Sequence, residues 1–445
     1  MKKTLILTLI LSFISTKTFS APFGYFDARS LAMGGIGVAA GDPSNASHYN
    51  PALLASTFYD KADFSLVIPS FSIGTLDIIT VQKTVSDFSN SDYASALNSS
   101  ITDFNNASTA SEISAAASST ATASQSLLNA INDLADAASL TLNMNLAALL
   151  AVPNQTLGFS AYTSGRLIGG TNIDFSNSDT ALIQSYIDVL ACLGAVDASL
   201  ASGTPTQQTQ YATDVANCYA ISPGVIDSGT GEIVNTDIKG SLTSSVKARG
   251  AIIKESGLSL AHTFPSLSYT SLGVTAKTVK VTTFDTSISI NSASVSTSNG
   301  QNSYSNLNLD FGMVMPFSNN FKVAAVVKNI IRKNYGTVLG NTISVYPQYR
   351  VGAAFQNEWV TIGVDYDISR NKSVAFEKDT QYVAIGTEID IFDTMQLRFG
   401  FRNNTVAADK VTSIGLGFNP GMNIDLALAL GNDGYELGFQ LGVKF

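Results

Sequence analysis

The sequence predicts a transmembrane antiparallel β-barrel, and three observations predict it. Charged residues make up 13% of the 445 positions, while aromatics are 9% and glycines number 34; soluble domains carry roughly 25% charge. Beyond the first twenty residues no stretch stays apolar for the roughly 18 residues of a spanning helix, which leaves a closed sheet as the other way to satisfy every backbone group in lipid. The last eleven residues, YELGFQLGVKF, set Tyr435, Leu437, Phe439, Leu441, Val443 and Phe445 against Glu436, Gly438, Gln440, Gly442 and Lys444, and that period of two is a strand with one oily face. A two-sheet sandwich would alternate too, but would carry more surface charge and rarely reaches this size as one unit. The net charge of -9 speaks against nucleic acid as a partner.

The elements follow in order. Residues 1–20 read as a secretory leader: Lys2 and Lys3 precede an apolar run from Leu5 to Ile14, and small residues lead to a cut before Ala21. That run is too short for a membrane anchor. Residues 21–61 form a separate N-terminal segment, and 62–445 the barrel. Alternation recurs at 307–315, 321–328, 349–355, 360–366, 383–391, 395–402, 414–418 and 424–430. Turn chemistry marks tight connections at Pro153-Asn154-Gln155, Phe264-Pro265-Ser266, Ser318-Asn319-Asn320, Gln356-Asn357-Glu358, Phe392-Asp393-Thr394 and Asn419-Pro420-Gly421. Longer connections lie at 77–137, 169–237, 285–302, 332–341, 369–379 and 404–410, with a short one at 431–434. Six turns alternating with seven loops join fourteen strands, both chain ends falling on the short-turn, periplasmic side. The count treats 238–263 as one strand bent near Glu255-Ser256-Gly257, and 62–76 as one despite Pro69. A hairpin at either place would make it twelve or sixteen.

Ahead of the first strand stands FGYFDARSLAMGGIGVAAGDPSNASHYNPALLA, residues 23–55. Its glycines lack the spacing and the strand-helix-strand setting of a dinucleotide site. A Gly- and Ala-rich stretch ending in Asn50-Pro51 suits close backbone contacts inside a pore. These residues resemble the FadL-type outer-membrane transport superfamily. Within it, Phe26-Asp27-Ala28-Arg29-Ser30 and Asn50-Pro51-Ala52-Leu53-Leu54-Ala55 are most similar to the plasmid-transfer TraF barrel proteins, not to the thioredoxin-like protein of the same name, since no Cys-x-x-Cys is present. The resemblance implies a fourteen-stranded barrel, a hatch carrying Asp27, Arg29, Met33, Gly34, Gly35, Gly37, Asn50, Pro51 and Ala52, and residence in the bacterial outer membrane. It also implies passage of hydrophobic small molecules helped by hatch rearrangement. The aromatic ending, Tyr435, Phe439 and Phe445, matches the signal by which barrel-assembly machinery recognises such chains.

The faces opposite the oily ones carry Lys322, Lys328, Arg350, Arg398 and Arg402 beside Asp310, Asp365, Glu388, Asp390, Asp425 and Glu436. Mixed signs in similar number point to cross-lumen pairs rather than a selectivity ring, with Asp27 and Arg29 as hatch partners. The insertions at 77–137 and 169–237 are expected on the extracellular side and partly helical, with Leu127, Leu128, Ile131 and Leu134, then Leu182, Ile183, Ile187 and Leu190, at helical spacing. Those stripes either pack together or offer a ligand groove. Cys192 and Cys218, both in the second insertion, read as a disulfide or as two buried thiols. With two histidines, His48 and His262, a metal cluster or a Ser-His-Asp set has little to draw on, so neither catalysis nor a cofactor is expected. A monomer in outer-membrane lipid follows. Two functions compete: passive uptake or binding of hydrophobic compounds, and a non-transport role in conjugation, surface-apparatus assembly or adhesion.

Overall fold

The computed structural model describes residues 19–20, 23–24, 26–56, 64–76, 93–137, 139–234, 241–289, 300–392, 394–432 and 434–445. The leader through residue 18, the cut at Ala21, the junction 57–63, the stretches 77–92 and 235–240, Asp393 and the side chain of Leu134 lie outside the description.

The N-terminal segment forms two short helices, α1 (Ala28–Ala32) and α2 (Ala46–Tyr49), and two 3-10 turns, Pro43–Asn45 and Pro51–Leu54. Fourteen strands then close a barrel in which each pairs with its sequence neighbour and the last with the first. They are β1 (Ser65–Leu76), β2 (Leu140–Val152), β3 (Gly158–Asp174), β4 (Ser245–Phe264), β5 (Thr270–Ser289), β6 (Gln301–Pro316) and β7 (Phe321–Lys328). The other half is β8 (Gln348–Gln356), β9 (Val360–Asp367), β10 (Tyr382–Ile391), β11 (Met395–Asn404), β12 (Lys410–Phe418), β13 (Asn423–Gly431) and β14 (Tyr435–Lys444). Alternation decides orientation: Phe399 (51%), Leu416 (50%), Leu426 (50%) and Leu437 (45%) are exposed outward, whereas Arg398, Asp425 and Gln440 on the other parity are buried.

The expected strand count of fourteen holds, and the two open points resolve as single strands. Residues 65–76 absorb Pro69 in a register shift between Val67 and Ser70. The bend expected near Glu255-Ser256-Gly257 does not occur: β4 pairs without interruption from Ser245 to Phe264, and Gly257 instead leaves room for the Tyr162 ring, whose Cε1 would lie 2.6 Å from an added Cβ. The second insertion also needs correcting, to 175–244. Gly169 and Gly170 remain in β3 because the Phe284 ring and the Leu140 carbonyl occupy the space a side chain would take, so they are close-approach positions rather than breakers.

The wall is uneven in height. Strands β3 to β6 have 17, 20, 20 and 16 residues, and β7 to β14 only 8 to 10. The tall side carries a cap of α3 (Tyr93–Asn106), α4 (Ala110–Ala137), α5 (Asn177–Ala195) and α6 (Pro205–Ile221). The two predicted stripes meet in one core, with Leu127, Leu128 and Ile131 packed among Ile183, Ile187, Leu190, Leu97 and Phe104, so they form no open groove. Cys192 and Cys218 are bonded, with Cα atoms 5.5 Å apart. Among the described residues no helix is long and apolar enough to cross a membrane.

Candidate functional site: the hatch and its chambers

The hatch follows from its own sequence. Asp27 caps α1, its Oδ1 accepting from the Ser30 amide at 2.7 Å, which supplies a partner to one of the orphan donors of a first turn. The chain then reverses at Gly34 (φ 74°) and Gly35 (φ 89°), a left-handed pair that glycine adopts without strain. Asn50 folds the far end: its Nδ2 donates to the carbonyls of Val38 (3.0 Å) and Met313 (3.2 Å), and its Oδ1 accepts from the Ala52 amide (3.1 Å).

The wall receives this segment on inward-facing glycines. Gly386 and Gly400 stand directly opposite one another on β10 and β11, and an added Cβ on either would collide with Met33 or Gly34 backbone. Ala32 lies on Gly415, Ala28 on Gly438, Ile36 on Gly363, Asn50 on Gly312 and the Ala52 amide on Gly273. The Gly34 amide donates to Ser413 Oγ at 2.9 Å, and the same hydroxyl donates to the Ala32 carbonyl at 2.9 Å.

Charges complete the docking. Arg29 grips Glu388 with Nε and Nη2, each at 2.8 Å, and its Nη1 donates to the Ala40 carbonyl at 2.8 Å. Arg398 joins Glu388 (2.6 Å) to Asp425 (2.5 Å), and Arg402 pairs with Glu436 at 2.6 Å. Asp365 Oδ2 accepts from the amides of Gly37 (2.8 Å) and Val38 (3.0 Å). Arg350 pairs with Asp367 at 2.5 Å, donates to the Gly35 carbonyl at 3.2 Å and lies 3.9 Å from the Phe23 ring centroid. Lys328 Nζ donates to the His48 carbonyl at 2.7 Å, while the His48 ring stacks on Phe26. Bidentate and charge-assisted contacts of this kind fix geometry as well as energy.

Of the wall and hatch charges the sequence singles out, the structure therefore brings Arg29, Arg350, Asp365, Lys328, Glu388, Arg398 and Asp425 to the seam, while Arg402 and Glu436 pair with each other within the wall. Asp27 is different: among the described residues it makes no ion pair with the wall, its Oδ1 caps α1 and its Oδ2 is buried without a hydrogen-bond partner. Lys322 donates to Gln356 Oε1 (3.3 Å), and Asp390 accepts from Gln396 (3.4 Å) below the hatch. Asp310 pairs across the wall with Lys277 (3.0 Å), which also holds Glu255 (3.1 Å). Lys277, Glu255, Asp367, Ser413 and the Asp42–Lys444 pair (2.7 Å) are the participants sequence reasoning missed. Inward parity was the available signal, obscured for Glu255 by the supposed bend. Tyr435, Phe439 and Phe445 sit on the outward parity of the closing strand and its end. Among the described residues no group of three or more His, Cys, Asp or Glu side chains could hold a metal ion.

The hatch separates two chambers with no lining residue in common. Above it a cavity of about 100 Å³ is lined by Phe23, Ile73, Arg166, Tyr382, Arg402 and Glu436 among others. Below it a vestibule of about 560 Å³ is lined by Arg29, Asp42, Lys322, Trp359, Glu388 and Lys444 among others. Higher on the tall side the inner wall turns apolar: Ile168, Ala251, Ile253, Val279 and Val281 pack against Tyr335, Ile343 and Val345. Those three belong to a hairpin, Lys333–Gly336 with Thr342–Val345, folded into the lumen. The polar face expected for a barrel interior is thus interrupted there.

A closed antiparallel sheet with an oily exterior and an inward-folded hatch defines a plugged transmembrane β-barrel. A family model described as "F plasmid transfer operon, TraF, protein" matches residues 47–367, and the chain belongs to that family. No curated protein matches the chain. Solved structures that superpose on it include a monoaromatic hydrocarbon channel, the TodX deltaS2S3 mutant, at 10% identity, covering 95% of this chain and 99% of that one with a TM-score of 0.49. The P. putida toluene transporter TodX superposes at 11% identity over 95% and 99%, with a TM-score of 0.44. A Rh. blastica porin mutant does so at 11% identity over 69% and 91%, with a TM-score of 0.27.

Proposed function

We propose that the protein resides in the bacterial outer membrane and admits small hydrophobic molecules passively past its hatch. The observation that carries this reading is the apolar inner wall above the hatch, Ile168, Ala251, Ile253, Val279 and Val281. In this closed arrangement the hairpin Lys333–Gly336 with Thr342–Val345 covers that surface; an apolar solute that displaces the hairpin gains roughly 25 cal/mol for each Å² it buries there, whereas a hydrated solute gains nothing from it. Passage then requires the hatch to leave its glycine seats. Ala28 Cβ lies 3.4 Å from the position of a Cβ on Gly438, near the roughly 3.8 Å of a disulfide, so Ala28→Cys with Gly438→Cys provides a lock. In proteoliposomes the oxidised double variant should lose entry of an uncharged aromatic solute at least tenfold, and reductant should restore it. Wild-type protein carried through the same redox steps controls for Cys192–Cys218. Entry no faster than in protein-free liposomes, for wild type and reduced variant alike, would refute the reading. The family's description, a plasmid-transfer operon protein, favours a second reading in which the cap supports conjugation. Deleting both insertions would then abolish mating while leaving solute entry intact.

A further inference from the structure

Charge on the outward wall is confined to a few positions. Among the described residues of β1 to β14 the outward parity holds no carboxylate and no arginine, and three lysines. One, Lys410, is the first residue of β12. The other two, Lys254 on β4 and Lys280 on β5, are direct cross-strand partners. Both are exposed, and among the described residues neither has an acidic partner, in contrast to Lys277, held between Glu255 and Asp310 on the inner face of the same strand.

Like charges placed opposite each other in a sheet repel, and a lysine facing lipid is costly at mid-bilayer and nearly free of cost at the interface. The surroundings place this pair at such an edge. Toward the short turns the outward positions are apolar and exposed: Leu258, Leu260, Val274, Leu307, Leu309 and Phe311. Around the lysines they become hydroxyls, with Thr163 Oγ1 3.0 Å from Ser256 Oγ and Thr282 Oγ1 2.9 Å from Ser303 Oγ. Directly opposed residues have Cβ atoms about 5 Å apart, so two ammonium groups can converge on one phosphate, and the shared anion removes their repulsion.

We propose that Lys254 and Lys280 clamp the phosphate of an outer-leaflet lipid at the foot of the tall wall. The clamp rests on the outer-membrane placement proposed above, since it takes that leaflet as its source of phosphate. The test uses full-length protein in phosphatidylcholine nanodiscs and measures, by native mass spectrometry, retention of diphosphorylated lipid A, of its dephosphorylated form, and of the first in excess inorganic phosphate. Wild type should retain the diphosphorylated lipid selectively and resist the inorganic anion. Each Lys→Gln change should weaken retention about tenfold, the size of one charge-assisted hydrogen bond. Lys254→Arg with Lys280→Arg should keep it, and K410Q should leave it unchanged. Equal retention of the dephosphorylated lipid, an unaffected K254Q/K280Q variant that still migrates as a folded barrel, or displacement by inorganic phosphate would each overturn the clamp. Fractionation on a sucrose gradient tests the placement separately: wild type absent from outer membranes refutes the location, whereas wild type present there without selective lipid retention refutes the clamp alone.

Discussion

At Gly34 two requirements meet in one residue. Its φ of 74° is left-handed, and a Cβ would stand 2.8 Å from the Phe401 amide and carbonyl, so a side chain would be strained and would also push the hatch off β11. Gly34→Ala should destabilise hatch docking by about 1–3 kcal/mol while leaving the barrel ladder alone. The expected result is faster maleimide labelling of a cysteine placed at Ala32, with the folded, heat-modifiable form of the protein still present. Unchanged labelling would show that Gly34 does not control the seat. The motif glycines were legible in the sequence as sites of close approach. Their partners Gly386 and Gly400 were not, because in an alternating strand a glycine opposite an oily residue is merely small. Only the register that sets the two face to face, beneath Met33, gives them a role. Arg29 is legible for the opposite reason: a guanidinium inside a pore needs a carboxylate, and the wall offers few.

Among the elements, the strands were the easiest to read and the cap the hardest. Alternation and turn residues placed all fourteen strands because lipid imposes a strict period of two on one face. The same cues failed at Gly169-Gly170 and near Gly257, where packing by Phe284 and Tyr162 outweighs a local preference for turns. Helices were visible as stripes, but nothing local says what a stripe packs against. The cap closes at its foot through Asp179, whose carboxylate accepts from the amides of Thr243 (2.8 Å) and Ser244 (2.7 Å) and from both hydroxyls. Burial raises the pKa of Asp179, but the hydrogen bonds from Ser244 and Thr243 outweigh it and hold the carboxylate below its ordinary range. A depressed carboxylate contributes stability above its unfolded pKa near 4, lost as pH falls through the folded value. Cap resistance to protease should therefore decline below about pH 4, and Asp179→Asn should both flatten that decline and cost about 1–2 kcal/mol at neutral pH. A pH profile identical to wild type would remove Asp179 as the clasp.

For the molecule as a whole the question is how the sheet becomes a closed wall in a membrane. The closing seam runs from Tyr435 opposite Thr75 to Lys444 opposite Ser65, and one further rung extends it: the Phe445 amide donates to the Phe64 carbonyl at 2.9 Å, and the Phe64 amide to the Phe445 carbonyl at 3.2 Å. Around the short-turn rim Tyr269, Phe317 and Phe418 are exposed beside Phe445, as in the aromatic girdles of such barrels. Both of these hydrogen bonds at Phe445 belong to the backbone, and its ring lies against that of Phe64, with centroids 6.0 Å apart. Phe445→Ser therefore keeps the closing bonds and removes one of several girdle rings. If the ring mattered only for stability, the refolded variant would be weakened by about 1 kcal/mol and its level in cells would hardly change. If instead it is the mark read during assembly, membrane levels should fall severalfold with leader processing intact, while unfolding of the refolded protein in detergent shifts little. Normal membrane levels of F445S would reject the assembly role, and a large loss of stability in detergent would assign the ring to the wall.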